Sequence, residues 1–145
     1  MQSGNPKNIK TWEDLSRPDI KIVNREKGAG ARVLLDEQIR IRNMSPKEIQ
    51  GYHNEESNHL SVATAVAQGL ADVGVGIEKE AKIVAVDFIP LIQEHYDLVI
   101  LKSDEQESLI QTMHKILNST EFKNKISCIE GYDTTRTGSV IFETL

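Results

Sequence analysis

The sequence predicts an α/β domain with a mainly parallel sheet flanked by helices. Three observations carry that expectation. Short apolar runs of strand length, such as Ile20–Val23 and Val73–Ile77, alternate with segments whose apolar residues recur at helical spacing. Two glycines, Gly28 and Gly30, follow the first run, and Gly74 and Gly76 lie within the second. No repeat or low-complexity tract interrupts the order. The chain has 145 residues, 39% apolar and 27% charged, the composition of one soluble globular domain.

The elements follow in order. Residues 4–19 are polar, with Pro6 and Pro18, and Thr11 before Glu13 and Asp14 predicts a capped helical turn carrying Trp12 and Leu15. Residues 20–24 read as a strand and about 29–42 as a helix with Val33, Leu34, Leu35 and Ile39 on its apolar side. Ser45 and Pro46 start a further short turn, with the proline at the first helical position. Residues 51–56 are a connection or short strand. Ser57 or Asn58 then caps a small-residue helix (Leu60, Val62, Ala63, Ala65, Val66, Ala67) that ends at Gly69. So many alanines let a helix sit close to a sheet.

Residues 72–77 read as a buried strand with close backbone approach, and 78–84 as a helix with acids in its first turn. Two more strands are expected at 86–91 and 96–101. Ser103 or Asp104 caps an amphipathic helix with Leu109, Ile110, Met113, Ile116 and Leu117 inward, and Asp104 and Glu105 serve that helix start. A helix at 119–127 begins at Ser119 or Thr120, and 140–142 is an edge-strand candidate after a turn-like stretch at 131–137.

Composition excludes several functions. The formal net charge of −5 argues against a nucleic-acid surface, and 5% aromatics leave few stacking platforms for single strands. No run approaches the roughly 20 apolar residues of a membrane span. Cys128 is alone, so no internal disulfide or thiolate-rich metal site is expected, and it reads as a small buried residue. A polar amino terminus implies a cytoplasmic protein, or one whose leader or larger amino-terminal part has been removed.

The segment Asn24-Arg25-Glu26-Lys27-Gly28-Ala29-Gly30-Ala31-Arg32 carries the clearest chemistry. A strand turns through two glycines into a helix whose first N–H groups lack internal partners and bear partial positive charge. Small side chains at Gly28, Ala29, Gly30 and Ala31 let a ligand approach those groups, as in an anion or polar-ligand cradle. The alternative is a turn that uses glycine for geometry alone. A dinucleotide fingerprint would need a third glycine where Val33 stands, and a P-loop would need Gly-Lys-Ser/Thr. Arg25 and Arg32 pair with an anion, or with Glu26, Asp36 or other acids. Glu55, Glu56 and His59 supply too few ligands for a metal. His53, His95 and His114 are scattered, and no nucleophile, base and orienter come together, so a binding module is expected rather than an enzyme.

These residues together resemble a known family. The run Asn24-Arg25-x-x-Gly28-x-Gly30-x-Arg32-Val33-Leu34-Leu35-Asp36, then Gly51-Tyr52-x-x-Glu55-Glu56, then His59 through Gly69 to Asp72-x-Gly74-x-Gly76-Ile77, then Asp87-Phe88-Ile89-Pro90-Leu91 and Tyr96-Asp97-Leu98-Val99, is similar to the periplasmic-binding-protein-like domain of type II solute-binding proteins. That domain resembles molybdate-binding proteins and is found fused to molybdopterin-biosynthesis proteins of the MoeA type or to helix-turn-helix regulators. The resemblance runs from Gly4 to about Gly138. It implies a single domain over 1–145 that corresponds to the second lobe plus the carboxyl-terminal segment of a two-lobed fold, the amino-terminal half of the first lobe being absent.

The resemblance implies a small-ligand binding or sensing domain, with an oxyanion such as molybdate or tungstate as ligand and no cofactor. Asn24, Arg25, Gly28, Ala29, Gly30, Ala31, Arg32, Asn58, His59, Gly76, Ile77 and Tyr96 would line the cleft. The family's glycine turn carries hydroxyls in a Gly-Ser-Gly-Thr-Arg pattern, whereas Ala29 and Ala31 leave only backbone donors here. Asn58 replaces the family's usual Thr and can still cap and donate. The implied partners are that ligand and a second copy covering the faces of the missing lobe, with no direct nucleic acid and no membrane. An accessory domain of a MoeA-type biosynthetic protein, or the effector domain of a transcription regulator, are the alternatives.

Overall fold

Strand β1 (Ile22–Arg25) is the axis on which the first part of the chain is built. Its neighbours are β2 (Glu55–Glu56) and β3 (Val73–Gly74), both parallel to it, in the order β2-β1-β3. Asn24 pairs with Glu55 and Arg25 with Glu56 on one side; Ile22 pairs with Val73 and Val23 with Gly74 on the other. The computed structural model describes residues 1–101, 103 and 106–143. It contains two compact units, Met1–Pro90 and Leu91–Leu145.

In the first unit, helix α1 (Gly30–Ile41) leads from β1 to β2, and helix α2 (His59–Ala67) leads from β2 back past β1 to β3. Successive strand residues face opposite sides of a sheet. Ile22 accordingly packs with Leu35 and Ile39 of α1, joined by Ile9, Leu15, Ile20 and Ile49. Val23, on the reverse face, packs with Val62, Ala65 and Val66 of α2. The two helices therefore cover opposite faces, and each fully buried aliphatic side chain contributes about 1.5–3 kcal/mol. The inward stripe of α1 is Ala31, Leu35 and Ile39, spaced four apart; Val33, expected on it, is exposed.

Close contact on the α2 face depends on Gly74. A Cβ there would sit 2.5 Å from Val62 Cγ1 and 2.9 Å from the Val23 carbonyl oxygen. The Asn58 side chain caps α2, accepting from the Ser61 N–H at 2.8 Å, and Gly69 at φ +73° turns the chain out of it. Helix α3 (Glu78–Ile83) follows β3 and buries only Ala81. Before β1, a 3-10 turn spans Glu13–Ser16. Thr11 is not its cap; instead the Asp14 carboxylate reaches back to accept from the Lys10 and Thr11 N–H groups, which hold it below the usual carboxylate range. A second 3-10 turn, Pro46–Glu48, starts at Ser45 without a side-chain cap.

The second unit contains α4 (Glu107–Asn118) and α5 (Thr120–Ser127), which pack together. Ser119 makes the corner. Its hydroxyl accepts from the Phe122 N–H and donates to the Ile116 carbonyl. Asp104 and Glu105 lie outside the described residues, and α4 opens after Gln106. Ile110, Met113 and Leu117 are half-buried, whereas Leu109 and Ile116, expected inward with them, are exposed. Cys128, expected to be buried, is exposed at the end of α5.

Three expected strands are not formed. Residues 86–91, 96–101 and 140–142 have no ladder partner among the described residues, and the expected 72–77 strand shrinks to Val73–Gly74. A strand exists only with a hydrogen-bonded neighbour, which an apolar run does not itself supply. Val86 instead follows a turn at Ala85 (φ +56°) and packs as a loop residue on the Val23–Val62 cluster. No described helix is long and apolar enough to cross a membrane.

Candidate functional site

All three strands end at one edge of the sheet. The connections that leave it are 26–29 after β1, 57–58 after β2 and 75–77 after β3. In the order β2-β1-β3 the chain leaves β1 in opposite directions, so the crevice between β1 and β3 is a topological switch point, where open α/β sheets receive ligands. The glycine bend sits at this point.

The bend is a four-residue turn closed by the Ala29 N–H on the Glu26 carbonyl at 3.2 Å, with Gly28 at φ +94° in its third position. α1 begins at once, with Ala29 extended and offering no side-chain cap. Arg32 and Val33 N–H both return to the Ala29 carbonyl. The N–H groups of Gly28, Gly30 and Ala31 have no acceptor among the described residues. Gly28 and Gly30 are exposed, and a Cβ on either would meet nothing within 4 Å. The bend is open at Gly28 and Gly30, whereas Ala31, the next residue, is buried.

The flanking charges are engaged. Arg32 is 3% exposed. Its Nε donates to both oxygens of Asp36 at 2.9 and 3.0 Å, and its Nη1 to Glu55 Oε1 at 2.8 Å and to the Arg25 carbonyl at 3.4 Å. Burial lowers the Arg32 pKa, but hydrogen bonds with Tyr52, Asp36 and Glu55 outweigh it and the net shift is upward. Arg25 donates through Nε to the Glu56 carbonyl at 3.2 Å and through Nη2 to Glu26 Oε1 at 2.9 Å and the Ser57 carbonyl at 3.0 Å. The pairing of these arginines with neighbouring acids, one of the two readings of the sequence, is thus what the fold contains. Asn24 is buried, accepting from the Arg25 N–H and donating to the Tyr52 carbonyl.

The remaining candidates fall in three places. Asn58 and His59 open α2 at the same edge, where the Leu60 N–H has no acceptor among the described residues. His59, Gly76 and Ile77 line one cavity of about 30 Å³ with Val62, Gly74 and Ala81. That space has room for about two waters. Tyr96 belongs to the second unit and is 91% exposed.

Sequence reasoning missed Tyr52 and Glu55 as partners of Arg32. Arg32 lies above the Tyr52 ring, and the Tyr52 hydroxyl donates to Asp36 at 2.7 Å. Asp36 was foreseeable, four residues from Arg32 on one helix. Glu55 comes from the adjacent strand, so no local spacing announces it.

The wider comparisons agree with this architecture. The PBP superfamily domain model matches residues 1–118. The chain is 49% identical over 144 residues to the uncharacterized protein YvgK of Bacillus subtilis strain 168, covering 99% of this chain and 46% of that one. It is 41% identical over 112 residues to an uncharacterized protein in the ferredoxin 2Fe-2S gene 5' region of Clostridium pasteurianum, covering 77% of this chain and 99% of that one. The chain therefore spans about half the length of the Bacillus relative and nearly all of the Clostridium one. No solved structure matches it. With the model matched over most of its length and a parallel sheet flanked by helices, the chain belongs to the PBP superfamily domain family.

Proposed function

We propose that the chain binds a small anionic or polar ligand at the carboxyl edge of its sheet, between the start of α1 and the start of α2. The observation that carries this reading is the glycine bend at the switch point, open at Gly28 and Gly30, with the Gly28, Gly30 and Ala31 N–H groups lacking an acceptor among the described residues. The Asn58 amide and the Gly76–Ile77 backbone complete the rim. Arg25, Lys27 and Arg32 are balanced near the edge by Glu26, Glu55 and Glu56, so the α1 amides and dipole set the sign of the attraction. Such a set of neutral backbone donors suits an oxyanion, with molybdate or tungstate favoured by the family resemblance alone.

The chain in this reading is the second lobe and carboxyl-terminal segment of a two-lobed binding domain, acting within the cytoplasm as a sensing part of a larger assembly rather than as an enzyme. A second copy covers the exposed apolar side chains of the Leu91–Leu145 unit, among them Tyr96, Val99 and Phe142 at 91%, 92% and 82% exposure. Sedimentation over a concentration series tests that part: a monomer at every concentration overturns it.

Thermal unfolding with molybdate, tungstate, sulfate and phosphate tests the site. Saturation at 100 times Kd stabilises by about 2.7 kcal/mol, several degrees for a domain of this size. Gly30→Leu places a side chain in the open space beside the bend at a position with ordinary helical backbone. It leaves the ligand-free Tm unchanged or higher and abolishes the anion-induced shift. If no anion raises Tm, or if Gly30→Leu responds as the parent does, the reading fails.

A further inference from the structure

We propose that Arg25 is a positioning residue, whose guanidinium clamps the connection entering α2 against the end of β1 and so fixes the separation of the two helix starts at the sheet edge. Its binding arm rests on the ligand reading above; its structural arm does not.

The side chain is only 11% exposed and lies between the two connections. It holds consecutive carbonyls of the β2 exit, Glu56 at 3.2 Å and Ser57 at 3.0 Å, while Glu26 on the β1 exit accepts from the same Nη2 at 2.9 Å. Ser57 directly precedes Asn58, the residue whose side chain caps α2 on the Ser61 N–H and whose carbonyl accepts from Val62. Moving the Ser57 carbonyl moves that cap. A second guanidinium reinforces the grip, because Arg32 at the first turn of α1 reaches back to the Arg25 carbonyl and across to Glu55 on β2. Two planar forks thus run from the β1–α1 side to β2 and the residues that leave it. A guanidinium spans carbonyls and a carboxylate at once because its five N–H groups diverge in a fixed plane. An ammonium on a flexible stem keeps the charge and loses that geometry.

The test compares the full chain with Arg25→Lys and Arg25→Met. Amide hydrogen exchange at Ser61 and Val62, with no ligand present, accelerates about tenfold in both variants. Exchange at Leu35 and Ile39 changes no more than the shift in urea midpoint explains. With molybdate as probe, Arg25→Lys responds no better than Arg25→Met at low or high salt. The clamp is overturned if Arg25→Lys keeps parental exchange at Ser61, or if Arg25→Met leaves it unchanged. It is equally overturned if Arg25→Lys retains a salt-sensitive molybdate shift that Arg25→Met loses, since charge rather than geometry would then be what matters. Should Arg25→Met not fold, Arg25→Gln carries the same comparison. If molybdate has no effect on the parent, molybdate is not the ligand, while the exchange data still decide the clamp.

Discussion

The guanidinium carbon of Arg32 lies 4.4 Å from the centroid of the Tyr52 ring. Asp36 joins the two by accepting from Arg32 Nε and from the Tyr52 hydroxyl, and Glu55 closes the group from the neighbouring strand. A buried cation, a ring and two carboxylates thus join α1, β2 and the residues leading into β2. Lone burial of that charge would be costly, and the partners remove the cost.

Arg32→Met keeps the stem's volume and removes the charge. The side chains of Asp36 and Glu55 are 43% and 35% exposed, so water re-solvates them and the loss is smaller than for a fully buried pair. Urea unfolding of this variant gives a destabilisation of about 2–3 kcal/mol. A change below about 0.5 kcal/mol would show that the network contributes nothing net to stability.

Tyr52→Phe retains the stacked ring and deletes the bond to Asp36. A hydrogen bond to a charged acceptor is worth about 1.5–3 kcal/mol, and the half-exposed carboxylate puts this one at the lower end. The Tyr52 pKa is raised, first by burial and then by the bond to Asp36. Because the folded value lies above the unfolded one, the contribution is fully present below about pH 10 and is lost as pH rises through the higher folded value. Parent stability therefore falls at alkaline pH with a Tyr52 component that the Phe variant lacks, as urea midpoints measured between neutral pH and pH 11 report.

Gly51 and Gly28 both have positive φ, yet their surroundings differ. A Cβ at Gly51 (φ +80°) would stand 2.1 Å from the Ile22 carbonyl oxygen, inside the β1 ladder. A Cβ at Gly28 (φ +94°) would meet nothing. Gly28→Ala carries backbone strain alone, about 1–2 kcal/mol, whereas Gly51→Ala adds a clash with main chain and costs at least about 3 kcal/mol. Equal Tm losses for the two variants would contradict this account.

Gly74→Ala drives a methyl into Val62 Cγ1 and forces α2 away from the sheet, at about 1–3 kcal/mol. Val62→Ala removes the struck atom. In a double-mutant cycle Gly74→Ala costs less in the Val62→Ala background than in the parent, though the Val23 carbonyl at 2.9 Å keeps it destabilising. Strict additivity would mean that Val62 does not set the approach of α2.

The local sequence determined β1, the glycine bend, α1, the Asn58 cap of α2, its Gly69 exit and the Ser119 corner before α5. In each case the physical cause lies within a few residues: apolar spacing, a small side chain at the bend, or a cap oxygen aimed at the next turn. Tertiary structure decided the rest. Whether 86–91, 96–101 and 140–142 become strands depends on a ladder partner distant in sequence, and none stands among the described residues. Whether Arg32 faces a ligand or Glu55 depends on which residue the adjacent strand brings alongside, through a register that no single segment encodes.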